Sequence, residues 1–396
     1  MDYTNGSFNY GSWGNIWFVK EAKPVALNLD GTIAYYLDPD DYTKKIDGTN
    51  SDIFYTLLAT EPSDWSTQWK QYYHLNNGEY VLNDDAEAPT FAPNTYYKLE
   101  TSFSGNFMVQ FPKVYFKRYE DENYNYVEVS DRKLSRDFKA YAHLNANGDE
   151  LDFIYLPMFK GVIQSSKLRS IPGVIPQGGT TASTEVTAAE ECGTGWKIWD
   201  HSSREMINDL LVLISKNADA QAKFGKGRES GYNASDTVTY GKLQTGTCIK
   251  KGAFYGYSTS YSDVKVFHIE GSWANRWERL QGMLLVDGAY KIKMAPPYNF
   301  AGTDFVTLST PSPTSNNYAR TLATSEYGSI TATVSAYASS PFKDYFYQSQ
   351  SGTRVGLVGG DGSSGSACGP RCVALSRTAS RSAWGIGASA IYKPSP

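Results

Sequence analysis

The chain has 396 residues, with 37 Lys and Arg against 41 Asp and Glu, for a formal net charge of −4. That length suffices for two or three domains and a substantial core. The charge argues against a general phosphate-binding surface, because nucleic-acid binders carry a basic footprint. The longest apolar runs, such as LLVLI at residues 210–214, are far too short to cross a bilayer. Neither a nucleic-acid partner nor membrane insertion is therefore expected. The N-terminus, MDYTNGSFNYGSW, has no basic region followed by an apolar one, so no secretory signal is expected.

The first hundred residues have a β-like, turn-rich pattern. NLDGT, DPDD, DGTN and NNGE are turn clusters between short aromatic or β-branched runs. FMVQFPKVYFKRY and then YVEVS suit paired strands, with Pro112 marking an edge or bulge. LDFIYLPMFKGVI is another apolar run, closed by Gly161. PGVIPQGGTTAST is a loop inside a domain. A short helix is expected near Thr187 to Glu191. Ser202 and Glu205 have the spacing of a capping box, and Ile207, Leu210, Leu211 and Ile214 follow at helical spacing. Gly225-Lys-Gly closes that region. The remainder should be short strands and loops, an α+β pattern with one or two helices on a small twisted sheet.

Residues 351–392 contain no Lys, Glu, Gln or Met. The stretch is GLVGGDGSSGSACGPRCVALSRTASRSAWGIGASAIY. Small residues, Arg and a few hydrophobes alternate over Gly, Cys and one Trp, which suits a recognition surface of interchangeable side chains. On composition alone, a Gly/Ser-rich β segment poor in long side chains fits as well. The missing residue types, with Trp, are those that codons ending in C do not encode. Asp361, Ser363, Ser364, Ala367, Ala374, Ser376, Arg377, Arg381, Ala383, Gly385 and Ile386 are all compatible with such codons, and Trp384 then belongs to a fixed frame. That frame comprises Gly359-Gly360, Gly365, Cys368-Gly369, Arg371-Cys372-Val373, Leu375, Thr378-Ala379-Ser380, Trp384, Gly387-Ala388 and Lys393-Pro394.

On these residues the segment resembles the C-terminal variable region of retroelement-diversified phage proteins, the group that includes the major tropism determinant. Upstream, residues 13–53, 105–120, 195–227 and 267–298 resemble tail-associated proteins of gut bacteriophages. The family often closes with Gly-Ala-Arg-Leu or Gly-Ala-Arg-Phe, where this chain has Ser389-Ala390. The resemblance implies a C-type-lectin-like domain of the formylglycine-generating-enzyme type. It would span residues 105–396 behind a small β-rich region, 1–104, for virion attachment or oligomerisation. It also implies a trimer, other virion proteins as partners, a place in the virion tail, and a host cell-surface protein or glycan as ligand. The ligand-binding residues it implies are the eleven positions above together with Ser389.

Chemical motifs are weaker. Cys368 and Cys372 stand in a C-x3-C spacing without further close ligands, and buried free thiols are the favoured reading for all four cysteines, Cys192 and Cys248 included. No metal and no cofactor is expected. The enzymes that share the implied fold oxidise a sulfatase cysteine with their own cysteine pair. That activity is not carried onto Cys368 and Cys372, which lie inside the variable-like frame. GDGSSG is neither a nucleophile elbow nor a phosphate loop. His268 and Glu270, two apart, would share one strand face, and a hydrogen-bonded structural His is favoured over a catalytic one. Acid pairs at residues 38–41, 84–85 and 120–122 belong in turns. The calcium-sugar signatures of C-type lectins are absent, so sugar recognition does not follow from the implied fold. The expected function is a non-enzymatic tail-tip adhesin. The alternatives are a head or tail decoration protein, and a depolymerase or other enzyme on the same fold.

Overall fold

The computed structural model describes residues 22–39, 41–46, 103–215, 217–230, 244–256 and 263–394, with the backbone of short strands at 2–4, 7–9, 75–76 and 79–80. Residues 13–21, 40 and 47–53 of the segment at 13–53, the DGTN cluster among them, the acid pair at 84–85 and the side chain of Ile214 lie outside the described residues. The protein is α+β as expected, and among the described residues it has three helices and two large sheets, in place of one or two helices on a small sheet.

The first sheet has seven strands. In chain order these are β1 (Lys23–Leu27), β2 (Ile33–Leu37), β3 (Lys45–Ile46), β4 (Asn106–Pro112), then, after β5 (Tyr115–Glu120) and β6 (Asn125–Ser130) of another sheet, β7 (Phe153–Pro157) and β8 (Trp196–Ile198). The seventh is the C-terminal strand, Ala390–Tyr392, which lies between β8 and β7. The sheet order continues β7-β4-β1-β2-β3. All seven residues of β4 are buried, as expected for a central strand covered on both faces. β1 pairs with β4 from Lys23↔Gln110 to Leu27↔Asn106, and Val25, Ala26 and Leu27 are fully buried. A boundary after residue 104 would therefore divide two hydrogen-bonded neighbours. Residues 22–46, expected in a separate N-terminal region, share a buried cluster with residues beyond 104: Ala26, Leu37 and Tyr42 pack with Phe107, Val109 and Phe111.

FMVQFPKVYFKRY forms two strands, and the second of them pairs with YVEVS as expected. β4 enters the seven-stranded sheet, while β5 pairs with β6 in a four-stranded sheet with the strands at 2–4 and 7–9. Pro112 ends β4, and Glu120 to Glu122 enter the turn after β5, where Asp121 accepts bonds from the amides of Asn123 and Tyr124.

The helices are α1 (Ala182–Glu190), α2 (His201–Ser215) and α3 (Ala220–Phe224). α1 begins earlier than the expected short helix, with Thr181 capping the Thr184 amide at 3.4 Å. α2 is capped by Asp200, whose Oδ1 accepts from the Ser203 amide at 2.9 Å. The expected capping box at Ser202 does not form, because Asp200 already occupies the cap two residues earlier. Glu205 instead accepts the Ser329 amide at 3.1 Å and an ion pair from Arg371 at 3.3 Å. α2 is buried on every described side, so its polar residues are paired inside the molecule. Asp209 takes Arg371 at 2.8 Å and Arg118 of β5 at 2.7 Å. The helix thus ties the four-stranded sheet to the second large sheet.

That sheet has nine strands. They are β9 (Trp277–Val286), β10 (Ala289–Ile292), β11 (Val306–Pro311), β12 (Asn317–Ser325), β13 (Gly328–Ser335), β14 (Tyr345–Gln348), β15 (Thr353–Gly359), β16 (Gly369–Arg377) and β17 (Ile386–Gly387). Their order is β11-β10-β9-β15-β16-β14-β12-β13, with β17 parallel to β9. Met283, Leu285, Tyr290, Ile292, Phe346 and Leu375 fill the core on one face. Among the described residues no helix is long and apolar enough to cross a membrane.

Candidate functional site

Residues 351–392 run through both large sheets. β15 leads into a tight turn, a single 3-10 turn at Gly365–Ala367, β16, a loop at 378–385, β17 and the C-terminal strand. The turn is built on Asp361. Its Oδ1 accepts the Ser363 amide at 3.0 Å and both serine hydroxyls, Ser363 and Ser364, at 2.8 Å. Gly360 has φ +83°, and a Cβ there would strike Cys368, so only glycine fits.

The cysteines are free and buried. Cys368 donates its thiol to the Asp361 carbonyl at 3.3 Å, and burial pushes the thiol pKa of both Cys368 and Cys372 well up. Neither is poised as a nucleophile. Ser389 Oγ donates to Glu278 Oε1 at 2.9 Å and accepts the Gly161 amide at 2.8 Å. Lys393 makes a 2.6 Å ion pair with Asp200, with neither side chain exposed. The segment's C-terminal end is therefore locked to the core.

The expected ligand-binding positions divide into two groups. Ser363, Arg377 and Arg381 are exposed, and Ser364, Ser376 and Ala383 are partly so. Asp361, Ala367, Ala374, Gly385, Ile386 and Ser389 are buried, and these six are corrected from face to frame. Ala374 and Ile386 pack with Leu357 beneath Trp277 and Tyr347. Asp361 spends its carboxylate on its own turn. Gly385 offers its carbonyl to the Trp277 amide at 2.8 Å. Small residues look alike in sequence whether they line a surface or fill a tight packing site, so composition did not separate them. Ser366 and Ser382 are exposed beside the predicted positions and were not singled out, and Thr378 and Ser380, expected in the frame, are exposed as well. Trp273 and Trp199 are buried, whereas Trp277 and the expected frame residue Trp384 are only half-buried.

Arg377 and Arg381 form no ion pair among the described residues. The loop that carries Arg381 is held from below: its carbonyl accepts Arg279 at 3.1 Å, and Ser382 donates to the Gly179 carbonyl at 2.8 Å. A fixed backbone thus supports solvent-facing guanidinium groups.

His268 and Glu270 do not form a shared strand face. Phe267 and His268 are the two loop residues of a hairpin, with φ +50° and +66°, the signature of a type I′ turn. His268 Nδ1 is 2.7 Å from the Tyr42 hydroxyl, and burial lowers its pKa well below the usual range. Glu270 accepts the amides of Gly246, Thr247 and Cys248. Both are structural. Among the described residues, no group of three or more His, Cys, Asp or Glu side chains is placed to hold a metal ion.

No family model matches the chain, and no curated protein matches it.

Proposed function

We propose that the protein is a bacteriophage receptor-binding protein at the tail tip, whose C-terminal domain is of the C-type-lectin-like, formylglycine-generating-enzyme type and whose segment 351–392 presents a ligand-binding face to the host cell. The observation that carries this reading is the division inside that segment. Cys368, Cys372, Leu375, Ile386 and Lys393 are buried in the frame, while Ser363, Arg377 and Arg381 project from it. Such a division lets exposed side chains change with little effect on the fold. An exposed Arg is a frequent anchor, because its planar fork pairs carboxylates or stacks on rings.

The α+β architecture, with long loops and a C-terminal strand inside the first sheet, fits the domain that the resemblance implies. Several copies on one virion, as a trimer, would convert weak single sites into strong attachment. In the interior, Glu205, Asp209 and Glu278 each meet a cation within 3.3 Å.

The test is adsorption. Purified chain should bind cells of its host, and Arg377→Ala with Arg381→Ala should abolish most of that binding while leaving the melting temperature in place. Undiminished binding by the folded double variant would favour the decoration-protein reading.

A further inference from the structure

The outer face of the nine-stranded sheet carries a line of aromatic rings. In β14, Phe346 is buried in the core while Tyr345 and Tyr347 stand on the opposite face, with centroids 4.5 Å apart. Tyr318 of β12 lies edge-on to Tyr345 at 4.8 Å and to Tyr337 at 5.0 Å. At the other end Trp277 lies edge-on to Tyr347 at 5.9 Å. The order along the face is Tyr337, Tyr318, Tyr345, Tyr347, Trp277. Tyr337 is 47% exposed and the other four are partly exposed, so water reaches the whole line.

This line borders the C-terminal segment. The Tyr318 hydroxyl is 3.1 Å from Ser366 Oγ, Tyr347 pairs with Ala374, and Trp277, Tyr347 and Ala383 pack on one buried cluster of Leu357, Ala374 and Ile386. Arg381 precedes Ala383 by two residues, and Arg377 ends β16. Asp361 is the only acid in residues 351–392, and its carboxylate is bound within its own turn. The loop beside the Trp277 end therefore carries the exposed guanidinium of Arg381. At the other end Lys343 Nζ sits 4.7 Å from the Tyr337 ring centroid.

Ligand chemistry follows from shape and charge. Protein-binding hot spots cluster in a compact centre, whereas these rings form a line, which suits an extended chain. An aromatic face is flat and polarisable. A sugar ring offers a flat C–H face with hydroxyls at its edge, where tyrosine hydroxyls and Ser366 can meet them. Acidic groups on the sugars would complement the two guanidinium groups. Resting on the adhesin reading above, we propose that the line from Tyr337 to Trp277 is a platform for an acidic polysaccharide chain, with sugar faces on the rings and carboxylate or sulfate groups on Arg377 and Arg381.

The test uses the full chain with polygalacturonate, hyaluronate and chondroitin sulfate, with dextran and oligo-dT as controls, followed by affinity electrophoresis and calorimetry. At least one acidic polymer should bind roughly tenfold or more tightly than dextran. Tyr337→Ser with Tyr345→Ser should weaken that binding by roughly tenfold or more, by the scale of ring stacking. Should the double variant melt early, Tyr337→Ser alone, at the exposed end, carries the comparison. Arg377→Ala with Arg381→Ala should reduce the acidic polymer to the level of dextran. No binding to any of the three acidic polymers, unchanged binding by the ring variants, or preference for oligo-dT would each overturn the proposal. The same preparations on a panel of gut bacterial isolates separate the two ideas. Cells bound without any polymer overturn the glycan platform alone, and polymer bound without any cells overturns the adhesin reading.

Discussion

Lys393 and Asp200 stand 2.6 Å apart with neither side chain exposed, and they tie the chain's C-terminal end to the cap of α2. Lys393→Met would leave the carboxylate buried with only the Ser203 amide, the Ser202 hydroxyl and the Tyr298 hydroxyl as partners. Breaking one side of such a pair costs about 3–5 kcal/mol, and urea unfolding of the variant should show it. Trp273 and Trp384 make a second comparison. Trp273 is fully buried and donates to the Gly225 carbonyl, so Trp273→Ala should cost about 3–5 kcal/mol. Trp384 is half-buried beside Arg276, and Trp384→Ala should cost clearly less in the same assay. Equal losses would contradict the division between them. His143 sets a pH dependence. Burial pushes its imidazole down to about 3, and Nε2 lies 3.3 Å from the Phe111 carbonyl, which accepts its proton. The folded pKa is below the unfolded value of about 6.5. The stability linked to neutral His143 is thus present above about pH 6.5 and is lost as pH falls from there toward 3. A melting series over that window should slope downward in acid, and His143→Phe should flatten it.

At the scale of elements, α2 joins the sheets through Arg371, which reaches both Glu205 and Asp209. Arg371→Met should lower stability by about 3–5 kcal/mol, since two buried carboxylates lose that partner. A loss below about 1 kcal/mol would mean that the Arg371 ion pairs do not hold the helix to the sheet. The helix itself was legible: Ile207, Leu210 and Leu211 fall at its spacing and are buried. Its cap was not, because Asp200 and Ser202 are both good caps by residue type and only the fold chooses between them. Strands were legible as strands, since β4, β6 and β7 lie where apolar runs placed them. Their partners were not, because β4 pairs with residues some eighty positions earlier. The Phe267-His268 turn was illegible for a different reason. Type I′ turns are signalled by Asn-Gly or Asp-Gly, and this pair carries no such mark. In the candidate site, exposed Arg377 and Arg381 were legible as charges without acidic neighbours. The six buried small or polar positions were not, because burial is set by strands far away in the chain.

For the whole molecule, the first sheet draws its strands from residues 23–46, 106–112, 153–157, 196–198 and 390–392. Early and late parts of the chain thus share one core, and Tyr42 bonds His268 across it. Residues 105–396 alone should therefore fail to give a cooperative thermal transition, since β4 would lose its neighbour β1. A truncated protein that melts like the full chain would restore an independent C-terminal domain. The central claim is that this shared core holds a fixed floor beneath a recognition face at the C-terminal segment. Hydrogen exchange of the full chain, free and bound to host envelopes, tests it most directly. Binding should protect amides within residues 363–366 and 376–383, leaving exchange in the β5–β6 sheet unchanged. Protection confined to residues 115–130, with none in the C-terminal segment, would contradict the account.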